Sequence, residues 1–315
     1  MKINKINLNY YSFGFLGGFV DKSIKNLSLE KFIEISKKNN LGGIEFPIDY
    51  LFKNNYDDIN SFFNRKNEFN VFISIENFEF EIIKKMIPIL KLYGINKARI
   101  KMSNHFGGNR YKIKSFKNEF QEFIRHLKLL KPLLLEYDFK LLIENHQDLN
   151  SHDILYIIEK ISNKCIGINW DIGNSLPTGE TPMQFYRNIK DHIYNIHIKD
   201  YHIEKNNDSL EFHRSIIGNG NIGIKKILKV LNKDNYCHSM SIELGAHKKR
   251  VSNIYKKEYW KAYKCYNKKH RLEYNEFLNE NMISSEGITI KNDSPSKELE
   301  IFQIEQSVIN LRNIN

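Results

Sequence analysis

Three apolar runs, KLLIE (140–144), IGINWD (166–171) and IYNIHI (193–198), decide how this 315-residue chain folds. Each is five or six residues long and rich in Ile and Leu, the pattern of strands buried on both faces of a parallel sheet. Twenty-one residues separate each run from the next, enough for a crossover helix and its two loops. Working outward, comparable runs lie near 3–9, 42–47, 70–75, 97–102 and 239–244, which makes eight. Helical periodicity fills the intervals. In SLEKFIEISKKNN, residues Leu29, Phe32, Ile33 and Ile35 form one stripe behind Ser28 as N-cap. The segment from Phe116 to Tyr137 reads as a long helix with an expected kink at Pro132. Eight strands alternating with helices predict a (β/α)8 TIM barrel over residues 1–280. An open doubly wound sheet fits less well, because no glycine-rich phosphate loop follows the first strand. Residues 281–315 read as a C-terminal extension: a polar link with Gly287 and Pro295, then a short helix that docks on the barrel or on a neighbouring subunit, leaving a homo-oligomer open.

Composition narrows the function. With 41% apolar residues the chain can bury a full core. No window of 18 apolar residues marks a membrane span, and MKINKINLNYYSFG lacks the ordered regions of a signal peptide, so a cytoplasmic protein is expected. Cys165, Cys237 and Cys265 are far apart and odd in number, which argues against a disulfide framework or a thiolate zinc site. The net charge of +11 is concentrated rather than spread. Ten Lys and Arg lie between His247 and Arg271 against Glu258 alone. Tyr255, Tyr259, Tyr263 and Tyr266 recur there at spacings of four, four and three, so the stretch is expected to be the barrel's last helix. Its tyrosines should pack on the strands and its lysines lie outside, and no nucleic acid is needed to explain the charge.

The chemistry sits at strand ends. Glu144 ends KLLIE, Asp171 ends IGINWD, His197 lies in IYNIHIKD and Glu243 ends SMSIE. In a barrel these ends open into one mouth, so four residues distant in sequence converge on one centre. Three carboxylates and one imidazole form a hard, oxygen-rich donor set suited to one divalent cation: Mn, Mg or Co, with Zn possible. Without such an ion, gathering three anions in a pocket is costly.

These motifs, LLIENH (141–146), WDIGN (170–174), HIKD (197–200) and IELGA (242–246), resemble those of the xylose isomerase-like TIM-barrel superfamily, which includes sugar phosphate isomerases and epimerases. The resemblance implies that Glu144, Asp171, His197 and Glu243 are the metal ligands. It also implies that Glu144 and Glu243 are the catalytic acid and base on opposite sides of a sugar or sugar phosphate, exchanging a proton through a metal-stabilised enediolate. A keto-polyol dehydratase of the inosose type needs nearly the same site and is the alternative. An endonuclease IV-like DNA-repair role fits less well. The histidine such enzymes place three positions after the metal-binding aspartate is Asn174 here, and Arg214 stands where another is needed near the GxG turn.

Other polar residues qualify as substrate contacts. His146 and Lys199 each lie two positions beyond a proposed ligand on an extended segment. Lys199 equally suits an ion pair with Asp171 or Glu243. Arg214 precedes IIGNG and offers a planar fork to a carboxylate, phosphate or hydroxyl. His105 and Glu45 also fall near the mouth, where incidental loop or helix-capping roles compete.

Overall fold

The computed structural model describes residues 5–20, 27–48, 63, 69–76, 78–236, 238–245, 247–263, 265–282 and 294–314. Eight parallel strands close into a barrel: β1 (Ile6–Asn9), β2 (Gly43–Pro47), β3 (Asn70–Ile75), β4 (Lys97–Ile100), β5 (Lys140–Glu144), β6 (Ile166–Asp171), β7 (Ile193–Ile198) and β10 (Ser239–Ile242). All eight expected strands are present. The barrel closes where β1 pairs with β10, with Leu8 opposite Ile242. Three of these strands, β1, β2 and β6, are buried end to end and the other five over most of their length, because helices cover the outside and side chains fill the lumen.

The helices form where the periodicity places them. Helix α1 (Leu29–Lys38) starts at Ser28, whose hydroxyl accepts from the Lys31 amide, and buries Phe32, Ile33 and Ile35. Between β3 and β4 lies α2 (Phe80–Leu92), and α3 (Phe116–Glu136) runs continuously through Pro132 before β5. After β5 and β6 come α4 (Ser151–Ile161) and α5 (Pro182–Ile189), each opened by a capping box, at Asn150 and Thr181.

An antiparallel hairpin absent from the sequence reading interrupts the alternation: β8 (Tyr201–Asn206) and β9 (Ser209–Arg214) follow β7, before α6 (Ile224–Lys233). Its two-residue turn places Asn207 at a φ of 48°. The turn pair Asn207-Asp208 was the available signal.

The basic stretch is not one helix. It divides into β11 (Arg250–Ser252), which joins β9 and β8 as a third strand, a short α7 (Lys257–Ala262) and α8 (Lys268–Asn281). Its described lysines are exposed as expected, but the tyrosines pack on loops rather than on strands. Tyr255 is exposed. The hydroxyls of Tyr259, Tyr263 and Tyr266 donate to the carbonyls of Pro177 (2.6 Å), Gly108 (2.9 Å) and Thr178 (3.0 Å). These carbonyls belong to the loops after β4 and β6, which would otherwise bury unpaired acceptors. The two loops touch so closely that a side chain at Gly108, whose φ is +63°, would overlap the Pro177 carbonyl.

The C-terminal helix α9 (Lys297–Asn313) docks on the barrel. Its fully buried Glu300 accepts from the Phe15 and Leu16 amides (2.7 and 3.0 Å) and contacts His247 Nε2 at 2.7 Å. The polar link at 283–293 lies outside the described residues. Among the described residues no helix is long and apolar enough to cross a membrane.

Candidate metal centre and active site

The strand ends of β5, β6, β7 and β10 bring Glu144, Asp171, His197 and Glu243 together. One ligand atom from each lies within 4.8 Å of the others, and all four side chains are buried. Asp171 and His197 are register partners on β6 and β7, which fixes their spacing through the backbone. His197 orients the set. Its Nε2 faces both oxygens of Glu45, at 2.9 and 3.0 Å, so that nitrogen carries the proton. The Nδ1 atom lies 2.7 Å from Glu243 Oε2, 3.9 Å from Asp171 Oδ2 and 4.0 Å from Glu144 Oε1, and although burial opposes it, Glu45 and Glu243 hold the imidazole pKa well above its usual value. A divalent cation held among the three carboxylates would take the place of the Nδ1 proton, since a metal-ligating imidazole must be neutral. The donor set therefore fits a divalent metal, with Glu45 as the partner that fixes the imidazole tautomer.

The surrounding charges form a closed network. Arg99 of β4 meets Glu144 Oε2 at 2.6 Å, Glu45 Oε1 at 3.3 Å and Glu76. Lys101 meets Glu76 Oε2 at 2.7 Å. Lys199 meets Asp171 and, at 2.7 Å, Glu243 Oε1. Five carboxylates (Glu45, Glu76, Glu144, Asp171, Glu243) thus face three fixed cations (Arg99, Lys101, Lys199). The protonated His197 leaves a deficit of one charge; with a metal in place of its Nδ1 proton the deficit would be two, which one divalent ion would cancel.

Burial works against ionisation throughout and the network counters it unevenly. It raises the Asp171 carboxyl to about 7 despite Lys199. At Glu243 burial acts the same way, but Lys199, His197 and Arg99 outweigh it and hold the carboxyl well below its ordinary range. Burial also lowers Lys101 to about 8, with Arg99 adding repulsion. His146 is pushed well below its usual value by burial and by Lys101 and Lys199, so it is neutral; its Nδ1 has no partner among the described residues and its ring meets Phe106 edge-on at 5.0 Å.

Of the expected substrate contacts, His146, Lys199 and Arg214 all line one cleft of about 1000 Å³ above the network. Lys199 is paired with two carboxylates, as the ion-pair alternative anticipated. Arg214 commits three of its five N–H groups to the scaffold: Nε donates to Gln303 (2.8 Å), Nη1 to the Gly245 carbonyl (2.7 Å) and Nη2 to the Ser12 carbonyl (2.9 Å). It ties the segments that follow β1 and β10 to α9. His105 pairs with Glu119 at 2.6 Å, away from the centre. Asn174 donates to Asp171 Oδ2 (2.8 Å) and Glu144 Oε1 (3.3 Å), bridging two ligands. Sequence reasoning left Glu45 undecided and missed Arg99, Lys101 and Glu76. Charges at alternate positions of the buried run KARIK (97–101) were the overlooked signal, since a strand directs them into the lumen.

Comparison with known proteins agrees with this geometry. A model of the xylose isomerase-like TIM barrel family matches residues 73–262, more than half of the chain. The chain belongs to this family. It is similar to the uncharacterized protein YihM of Escherichia coli (strain K12), at 29% identity over 86 residues, a stretch spanning 27% of this chain and only 26% of that protein. Among solved structures, D-psicose 3-epimerase from Clostridium cellulolyticum H10, determined with D-tagatose, superposes with a TM-score of 0.65 at 9% identity, covering 98% of this chain and 99% of that one. The probable 3-DHS dehydratase AsbF from Bacillus anthracis gives 0.54 at 15% identity over 76% and 93%. At such identities the likeness establishes a shared fold.

Proposed function

We propose that the protein is a sugar isomerase or epimerase that depends on one divalent metal ion held by Glu144, Asp171, His197 and Glu243. The observation that supports this reading is the convergence of Glu144, Asp171, His197 and Glu243, one ligand atom from each within 4.8 Å of the others, in a buried network whose carboxylates outnumber its cations. A bound Mn, Mg or Co ion would polarise the substrate carbonyl and favour removal of the neighbouring C–H proton. The chain's own residues do the rest. Glu144 and Glu243 each turn one oxygen toward the ligand cluster, while Arg99 and Lys199 hold their other oxygens. Each carboxylate is thereby fixed in orientation. One takes the proton from carbon and the other returns a proton from the opposite face, which inverts that carbon; return by the same group to the adjacent carbon gives isomerisation. Neutral His146 and the cationic Lys101 are placed to bind substrate hydroxyls.

The test is a panel of ketoses in deuterated water with Mn²⁺, Mg²⁺ or Co²⁺, read by mass and chirality. Conversion with mass conserved except for deuterium at the carbon beside the carbonyl is expected. A product lacking one water would instead favour a keto-polyol dehydratase. Failure to convert any ketose or keto-polyol with any of the three metals would overturn the reading.

A further inference from the structure

On the floor of the cleft carboxylates outnumber cations, whereas its rim carries an excess of positive charge. Arg214, Lys248 and Arg250 line the same cleft as Glu144 and Glu243, and none of the three pairs with a carboxylate among the described residues. The other charged groups of the rim are accounted for: Lys249 meets Glu211 at 2.5 Å, and His247 meets Glu300 at 2.7 Å. Arg214 hydrogen-bonds only neutral acceptors. Arg250, on the edge strand β11, lies over the Phe106 ring with its guanidinium carbon 3.6 Å from the centroid. Phe106 in turn meets His146, so Arg250 is held above the wall that carries the neutral imidazole. Stacking fixes the plane of the guanidinium and leaves its N–H edge available, the arrangement that suits a planar or tetrahedral anion.

We propose that Arg250 and Lys248 bind an anionic group, phosphate or carboxylate, on the part of the substrate remote from its reacting carbons. The proposal rests on the isomerase or epimerase reading of the floor and specifies its substrate class. Arg214 adds positive potential from behind, and its remaining two N–H groups are not required. An anion at this place offsets one or two of the three positive charges of the rim, whereas a neutral sugar leaves all three uncompensated.

Calorimetric titration of the full chain in Mn²⁺ with D-tagatose, D-tagatose 6-phosphate and D-tagaturonate tests it. At least one anionic ligand should bind ten times more tightly than the neutral ketose, and which one distinguishes phosphate from carboxylate. The double variant Arg250→Gln, Lys248→Gln should lose that preference with the affinity for D-tagatose unchanged. Arg250→Lys, which keeps the charge and disturbs β11 least, should retain part of it. Equal affinities for all three ligands, or a preference that survives in the double variant, would overturn the proposal. Because the readout is binding, an anion preference without turnover would remove the isomerase reading and keep the clamp. Turnover of all three with equal KM would do the reverse.

Discussion

The floor and the rim of the cleft are built from the same kinds of residue and stabilised in opposite ways. On the floor, every charge sits on a strand or immediately after one, all but the half-buried Glu76 are buried, and each has a partner of opposite sign within 4 Å. On the rim, α7, the segment that follows it and the loops after β4 and β6 are joined by phenol hydroxyls donating to backbone carbonyls, and Arg214, Lys248 and Arg250 have no carboxylate partner among the described residues. Removing one group from the floor leaves an uncompensated buried charge, which costs several kcal/mol. Removing one from the rim costs one hydrogen bond of about 1 kcal/mol. A rigid floor and an incrementally assembled rim suit a site whose chemistry is fixed and whose specificity is set by loops.

The largest effect is expected at Glu243. Glu243→Gln should lower kcat about 1,000-fold, roughly 4 kcal/mol in the barrier, while the protein stays folded, because the amide fills the space and cannot accept a proton. Circular dichroism and steady-state kinetics check this, and activity within tenfold of wild type would remove Glu243 from the acid–base role.

Glu180, which supports the loop after β6, should give the next largest effect. It accepts from the Ser151 amide at 2.8 Å, and burial raises its carboxyl from 4.5 to about 7. Between those values the folded state holds a proton that the unfolded state has released, so stability falls as pH rises from about 4.5 to 7. The full contribution is roughly 3 kcal/mol. Glu180→Gln is neutral at every pH and should show a correspondingly flatter profile when urea unfolding is compared at pH 5 and pH 7.5. Identical slopes for the two proteins would mean that Glu180 ionises normally in its pocket.

Glu45 tests the floor more gently. Glu45→Gln still accepts from His197 Nε2 through its carbonyl but removes one charge, and should weaken Mn²⁺ affinity by about 10- to 100-fold. Unchanged affinity would show that the imidazole is oriented by something else. The smallest effect belongs to the rim: Tyr263→Phe loses the bond to the Gly108 carbonyl and should cost about 1 kcal/mol in chemical denaturation. A loss above about 3 kcal/mol would mean that the rim is as tightly coupled as the floor.

The same contrast explains what could be read from the chain. Strand positions and the convergence of Glu144, Asp171, His197 and Glu243 follow from period and topology alone, since a parallel barrel sends every strand end to one mouth. The floor's cations were hidden because Arg99 and Lys101 in KARIK look like the polar face of an ordinary strand, and only barrel closure turns that face inward. The region after β10 misled for a different reason. Tyrosines at intervals of four, four and three match a helical stripe, yet what places Tyr259, Tyr263 and Tyr266 is the need of distant carbonyls for donors, which no local spacing records. The hairpin β8–β9 was short, with charged residues on both strands, so hydrophobic alternation barely marked it.

The central claim is that four strand-end residues hold one divalent ion. Purified full-length protein, stripped with chelator, reloaded with Mn²⁺ and passed through a desalting column, should carry one ion per chain by elemental analysis. The double variant Asp171→Asn, Glu243→Gln, treated identically and shown to be folded, should retain less than a tenth of that. No retained metal in the wild type, or a stoichiometry that the double variant leaves unchanged, would contradict the account.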